Sequence, residues 1–157
     1  MLGTLAKWFR ILGYDTLYDP ALDDDQLVRI ARADNRMLLT RDKQLAERRG
    51  VRVLLVTDEH LEDQIRQVLS VLQLVPDRSF SRCPVCNGAL EVADREAARA
   101  HVPAYVAQTH KAFRRCPDCE RIYWRGTHWK RMERNLAGFR SPTEPSRPVD
   151  VGRTNST

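Results

Sequence analysis

Two sets of residues in this chain have the types and spacing to do chemistry. The first is four cysteines in two pairs, "CPVC" at Cys83 and Cys86 and "CPDC" at Cys116 and Cys119. A CxxC loop turns two sulfurs toward one point, and two such loops supply four thiolates, the closed tetrahedral shell of structural zinc. That shell keeps no open position for water, so the ion holds a small, core-poor module together instead of activating a substrate. The competing reading is a redox dithiol, which uses one CxxC at the start of a helix in a βαβ unit, and neither pair has that setting.

The second set is acidic. In "RMLLTRDKQLA", residues 36 to 46, an apolar run reaches a threonine and then Asp42, just before a helical pattern. Ligands of open parallel sheets gather beyond the carboxyl ends of the strands, so Asp42 occupies a site position. Asp23, Asp24 and Asp25 open the helix that leads into this strand and could approach the same edge, with Asp24 on a different face from the inward-pointing residues. Asp58 follows the next strand at its carboxyl end and is a candidate neighbour. Gathered carboxylates repel and stay ionised at neutral pH only beside cations such as Mg²⁺ or Mn²⁺. Such an ion lowers the pKa of a bound water and stabilises a leaving oxygen, the logic of metal-dependent phosphodiester hydrolysis. The plainer alternative is that these acids only cap helices and favour their dipoles.

A third stretch, "RIYWRGTHWKRMER", interleaves aromatic and basic residues. Rings stack on unpaired bases while cations meet phosphates, so Arg121, Trp124, Arg125, His128, Trp129 and Lys130 are candidates for contact with RNA. The alternative makes the tryptophans core and the charges a solvated helix face. His128 could position a phosphate or protonate a leaving oxygen, or simply pack. Charge favours an anionic partner on this side: residues 1 to 80 hold 12 basic and 13 acidic side chains, residues 81 to 157 hold 14 and 8, and the whole chain carries +5.

The elements that must position these groups follow from apolar periodicity. "MLGTLAKWFRILG" places Leu2, Leu5, Phe9 and Leu12 on one face of a helix starting at residue 1 and ended by Gly13. "YDTLY" reads as a short strand, and Asp15 starts or lies within it. "DDDQLVRIARADN" reads as an Asp-capped helix with Leu27, Ile30 and Ala31 inward, and "RMLLT" as a buried strand. "RDKQLAERRG" is a third helix stopped by Gly50, "VRVLLV" a third strand, and "TDEHLEDQIRQVLSVLQL" a fourth helix with Leu61, Ile65, Val68 and Leu72 in register. This alternation belongs to a parallel sheet flanked by helices, with one strand missing at the front. The expected division is an α/β domain over 1–78, a four-cysteine ribbon of short strands over 79–140, and a disordered tail over 141–157.

At 157 residues the chain has room for a moderate core and no elaborate machinery. No apolar run approaches the ~20 residues of a membrane span, no secretory leader is visible, and no internal repeat occurs. The expectation is a soluble, cytoplasmic protein.

"MLGTLAKWFRILGYDT", "D..LVRIA", "RMLLTRD", "RCPVCN" and "YWRGTHW", in this order and spacing, resemble the Mut-7 C-terminal RNase domain family over roughly residues 1 to 139. The resemblance implies a PIN-like nuclease domain followed by a zinc ribbon, and a metal-dependent ribonuclease activity. Carried over by position, it makes Asp24 and Asp42 the Mg²⁺- or Mn²⁺-binding acids. Family members usually carry a first strand ending in an acid two residues before the methionine of "MLG", which in this chain is Met1. The expectation is therefore a start assigned too late and, for the chain as written, weak activity. The alternative function is a catalytically inactive protein that binds RNA or the ribosome through its ribbon.

Overall fold

A computed structural model describes residues 2–137 of the chain, so the expected tail over 141–157 lies outside the described residues. Helix α1 (Gly3–Ile11) buries Leu5, Ala6, Trp8, Phe9 and Arg10, and Leu12 follows it into the core. Gly13 ends it with φ of 98°, where a side chain would collide with the backbone carbonyl of Arg78.

Residues 14–18 form no strand, against the expectation for "YDTLY". Thr16 and Asp15 bond distant side chains instead of a ladder. Asn87 Oδ1 accepts from the Thr16 amide at 3.2 Å, Arg10 Nε donates to the Thr16 carbonyl at 2.8 Å, and Asp15 is held by Arg36 and Asn87.

Helix α2 (Asp24–Ala33) starts with a capping box in which Asp23 and Gln26 exchange side-chain and backbone bonds. A tight turn through Asn35, at φ 52°, reverses the chain into β1 (Met37–Thr40). Helix α3 (Lys43–Ala46) is a single turn, shorter than its pattern suggested, and β2 (Arg52–Leu55) pairs parallel to β1 with Leu39 opposite Leu54. Helix α4 (Leu61–Val71) packs Ile65, Val68 and Leu69 against α1. The chain is thus mixed α/β, a small parallel sheet with flanking helices.

Among the described residues, β1 pairs only with β2. Met37, Leu38 and Leu39 of β1 line a largely apolar cavity of about 410 Å³ with Leu5 and Phe9 of α1 and Val68 of α4.

The second half forms an antiparallel sheet of β3 (Glu91–Ala93), β4 (Phe113–Arg115) and β5 (Ile122–Tyr123). Two helices that the sequence reading lacked, α5 (Arg95–Arg99) and α6 (Ala104–Thr109), fill the interval between the cysteine pairs and cover Phe113 with Ala98 and Val106. Helix α7 (Thr127–Asn135) then returns to the first half, where Trp129, Met132 and Leu136 join the cluster built by α1 and α4. One core therefore spans the expected boundary at 78/79. No helix among the described residues is long and apolar enough to cross a membrane.

Candidate metal centre and nucleic-acid interface

The two cysteine loops are one design built twice. The Cys83 amide donates to the Gly88 carbonyl at 2.8 Å and the Asn87 amide to the Cys83 carbonyl at 2.9 Å. In the second loop the Cys116 amide donates to Arg121 and the Glu120 amide to Cys116, both at 2.9 Å. The fourth residue after each leading cysteine is left-handed, Asn87 at φ 67° and Glu120 at φ 61°. At Gly88 any side chain would run into the Asp118 carboxylate, next to the Cys86 sulfur.

The loops bring all four sulfurs within 4.8 Å of one another, with Cys83 to Cys119 at 3.6 Å and Cys86 to Cys116 at 3.4 Å. A tetrahedron with Zn–S bonds of ~2.3 Å sets sulfurs ~3.8 Å apart, whereas a disulfide needs ~2.05 Å, so the arrangement fits zinc thiolates. Zinc would be held by Cys83, Cys86, Cys116 and Cys119 and would act as a cross-link. Burial pushes the Cys83 thiol up, but the amides of Cys86 and Val85 and the Tyr123 hydroxyl, 3.1 Å from its sulfur, bring it down to about 7. The Gly88 amide lowers Cys86, yet burial and the neighbouring sulfurs push it up to about 12. Binding one cation to all four sulfurs removes this unevenness by displacing their protons.

The first loop is bolted to α1. Arg10, 6% exposed, donates to the carbonyls of Thr16, Pro84 at 3.0 Å and Val85 at 2.9 Å, so its charge is buried only because three acceptors surround it. Asn87 adds a 2.6 Å bond to Asp15, whose other oxygen meets Arg36 at 3.0 Å.

The acids are arranged more loosely. Asp25 to Arg48 at 2.9 Å ties the first turn of α2 to the chain after α3. Asp24 is exposed in the first turn of α2. Asp42 is exposed and caps α3, its Oδ1 accepting from the amides of Gln44 at 2.7 Å and Leu45 at 3.2 Å. Asp58 is half-buried, its carbonyl taken by Gln64 at 2.9 Å. Among the described residues neither Asp24 nor Asp42 belongs to a convergent group of three ligands.

The aromatic and basic stretch divides by burial. Arg121, Arg125, His128 and Lys130 are exposed and Trp124 is half-buried. Trp129 is 5% exposed, edge-on to Phe80 at 4.6 Å and stacked with Trp8 at 6.3 Å, so it belongs to the core. Its neighbour His128 lies 5.6 Å from Trp8. Arg125 stands over both the Phe80 ring, at 5.3 Å, and the Trp129 ring, at 5.9 Å.

A family model described as the Mut7-C RNAse domain matches residues 1–136. The chain belongs to this family. No curated protein and no solved structure matches it. In this Mut7-C chain the match runs through both the candidate acids and the cysteine loops. Three residues that position the site escaped the sequence reading: Trp8, Phe80 and Arg10. Trp8 and Phe80 look like ordinary core aromatics, and an arginine on an amphipathic helix reads as solvated until the carbonyls that meet it are known.

Proposed function

We propose that this Mut7-C protein is a metal-dependent ribonuclease that hydrolyses RNA phosphodiester bonds, with the cytoplasm as its expected compartment. The family match over residues 1–136 carries this reading, because it covers the acids and the ribbon together. Asp24 and Asp42 would hold Mg²⁺ or Mn²⁺ at the rim, and the ion when bound supplies an activated water and Lewis acidity. The zinc ribbon and the start of α7 grip RNA, with Arg121, Arg125 and Lys130 meeting phosphates and Trp124 and His128 meeting bases.

Asp42→Asn tests the hydrolytic part. Asparagine caps helices as well as aspartate, so the fold survives while a charged oxygen donor is lost. Cleavage of an RNA oligonucleotide in Mg²⁺ or Mn²⁺ should fall by at least the ~10–100-fold typical of disturbed metal sites. Unchanged cleavage by a folded variant, free of contaminating nuclease, rejects the assignment.

A second reading, RNA binding without hydrolysis, draws support from the absence of a third converging acid among the described residues. It predicts binding that weakens with salt, is indifferent to chelation of Mg²⁺, and is accompanied by no metal-stimulated turnover. Replacing Arg125 and Lys130 should flatten the salt slope by about 0.7 per lost phosphate contact under either reading.

A further inference from the structure

Helix α1, the ribbon and the start of α7 enclose a second cavity of about 230 Å³. Its walls include Trp8, Phe80, Arg82, Trp124, His128 and Trp129, drawn from both halves of the chain. This is below the ~300–1,000 Å³ of sites for drug-sized molecules and suits a single planar ring system.

Three features say what ring system. Trp8, Phe80, Trp124 and Trp129 give the cavity aromatic walls on which a flat ring can stack. Gly126, also at the cavity, precedes α7 without a side-chain cap, and the first turn of α7 carries no acid, which leaves its leading amides suited to an anion. Arg82 in the cavity wall and Arg125, over Phe80 and Trp129, supply cations in the same region. A flat ring attached to an anionic backbone is a nucleotide.

We infer that this cavity receives one unstacked base of single-stranded RNA, with a backbone phosphate at the start of α7. The inference rests on the reading that RNA is the ligand, and it adds Trp8, Phe80 and Arg82 to the residues that contact RNA. An aromatic side chain of a protein partner would fill the walls but would leave the uncapped helix start and the cations unused.

The test uses the full-length, zinc-loaded protein and a single-stranded RNA oligonucleotide just long enough to bind. Each position in turn is made abasic, with the sugar and phosphate kept. One abasic position should weaken binding about tenfold, the scale of a lost base stack. That penalty should shrink to nearly nothing in Trp124→Ala and in His128→Ala, the latter at an exposed position where folding is not at risk. Equal affinity for every abasic oligonucleotide, or a penalty that both folded variants retain, overturns the base pocket while the RNA reading stands. Absence of RNA binding even at low salt overturns the RNA reading and the pocket with it. Displacement of RNA by an aromatic-tipped, uncharged peptide that quenches tryptophan fluorescence in the wild type but not in His128→Ala would identify a protein pocket and also overturn the inference.

Discussion

The four cysteines converge on one point, whereas the candidate acids Asp24 and Asp42 join no group of three possible ligands among the described residues. Each cysteine pair is placed by its own loop, through backbone bonds spanning four or five residues, so half of the metal shell is complete before any tertiary contact forms. The two halves then need only one joining operation, supplied by the short β-sheet between them. Asp24 and Asp42 come singly, from the start of a helix and the end of a strand, and every ångström between them depends on how α2 lies against β1.

The largest effect should come from removing the convergent site. Cys116→Ser, or zinc removal by a strong chelator, takes away a binding free energy of order 10 kcal/mol and should unfold the ribbon. Circular dichroism together with a zinc stoichiometry falling from one per chain to zero checks this. Retention of the wild-type fold without metal would mean that α5, α6 and Phe113 suffice as a core.

Arg10 ties α1 to the first cysteine loop. Arg10→Met leaves the carbonyls of Thr16, Pro84 and Val85 without their charged donor and should cost about 3 kcal/mol in denaturant unfolding. Faster proteolysis between the halves, with zinc still bound, would show that the bolt and the cross-link are separate devices.

At the rim the expected stability changes are smaller. Asp42→Ala removes the cap of α3 and should cost about 1 kcal/mol, whereas Asp42→Asn should cost almost nothing. Equal losses would mean that the charge itself holds the rim together.

The smallest effect is a pH dependence. Hydrogen bonds from Arg36 and then Asn87 hold the Asp15 carboxyl below the usual carboxylate range. Because the folded state lowers this pKa, its contribution to stability is fully present above the ordinary value of about 4 and is lost as pH falls through the lowered native value. Asp15 is half exposed, so the change is slight, and unfolding curves of wild type and Asp15→Asn should differ at neutral pH and converge in acid.

Much of the architecture was legible in the chain. Helices α1, α2 and α4 follow their apolar periods and β1 and β2 their short apolar runs. Asp23 caps α2 as expected, and Asp42 caps α3 as the plainer alternative had it, because capping is decided within three residues. Residues 14–18 did not follow their pattern, and side chains from α1 and the first cysteine loop take the backbone bonds of Thr16. Helices α5 and α6 are too short for an apolar period to stand out.

The amino-acid order alone determined the cysteine loops, the caps and the amphipathic faces, since each rests on interactions between residues a few positions apart. Only the tertiary structure decided that Trp129 is core, that Arg10 is buried among carbonyls, and that the two halves share one hydrophobic cluster with an aromatic cavity at their seam. Those outcomes join residues some 70 to 120 positions apart, and no local spacing encodes which of several apolar or charged side chains will meet across such a distance.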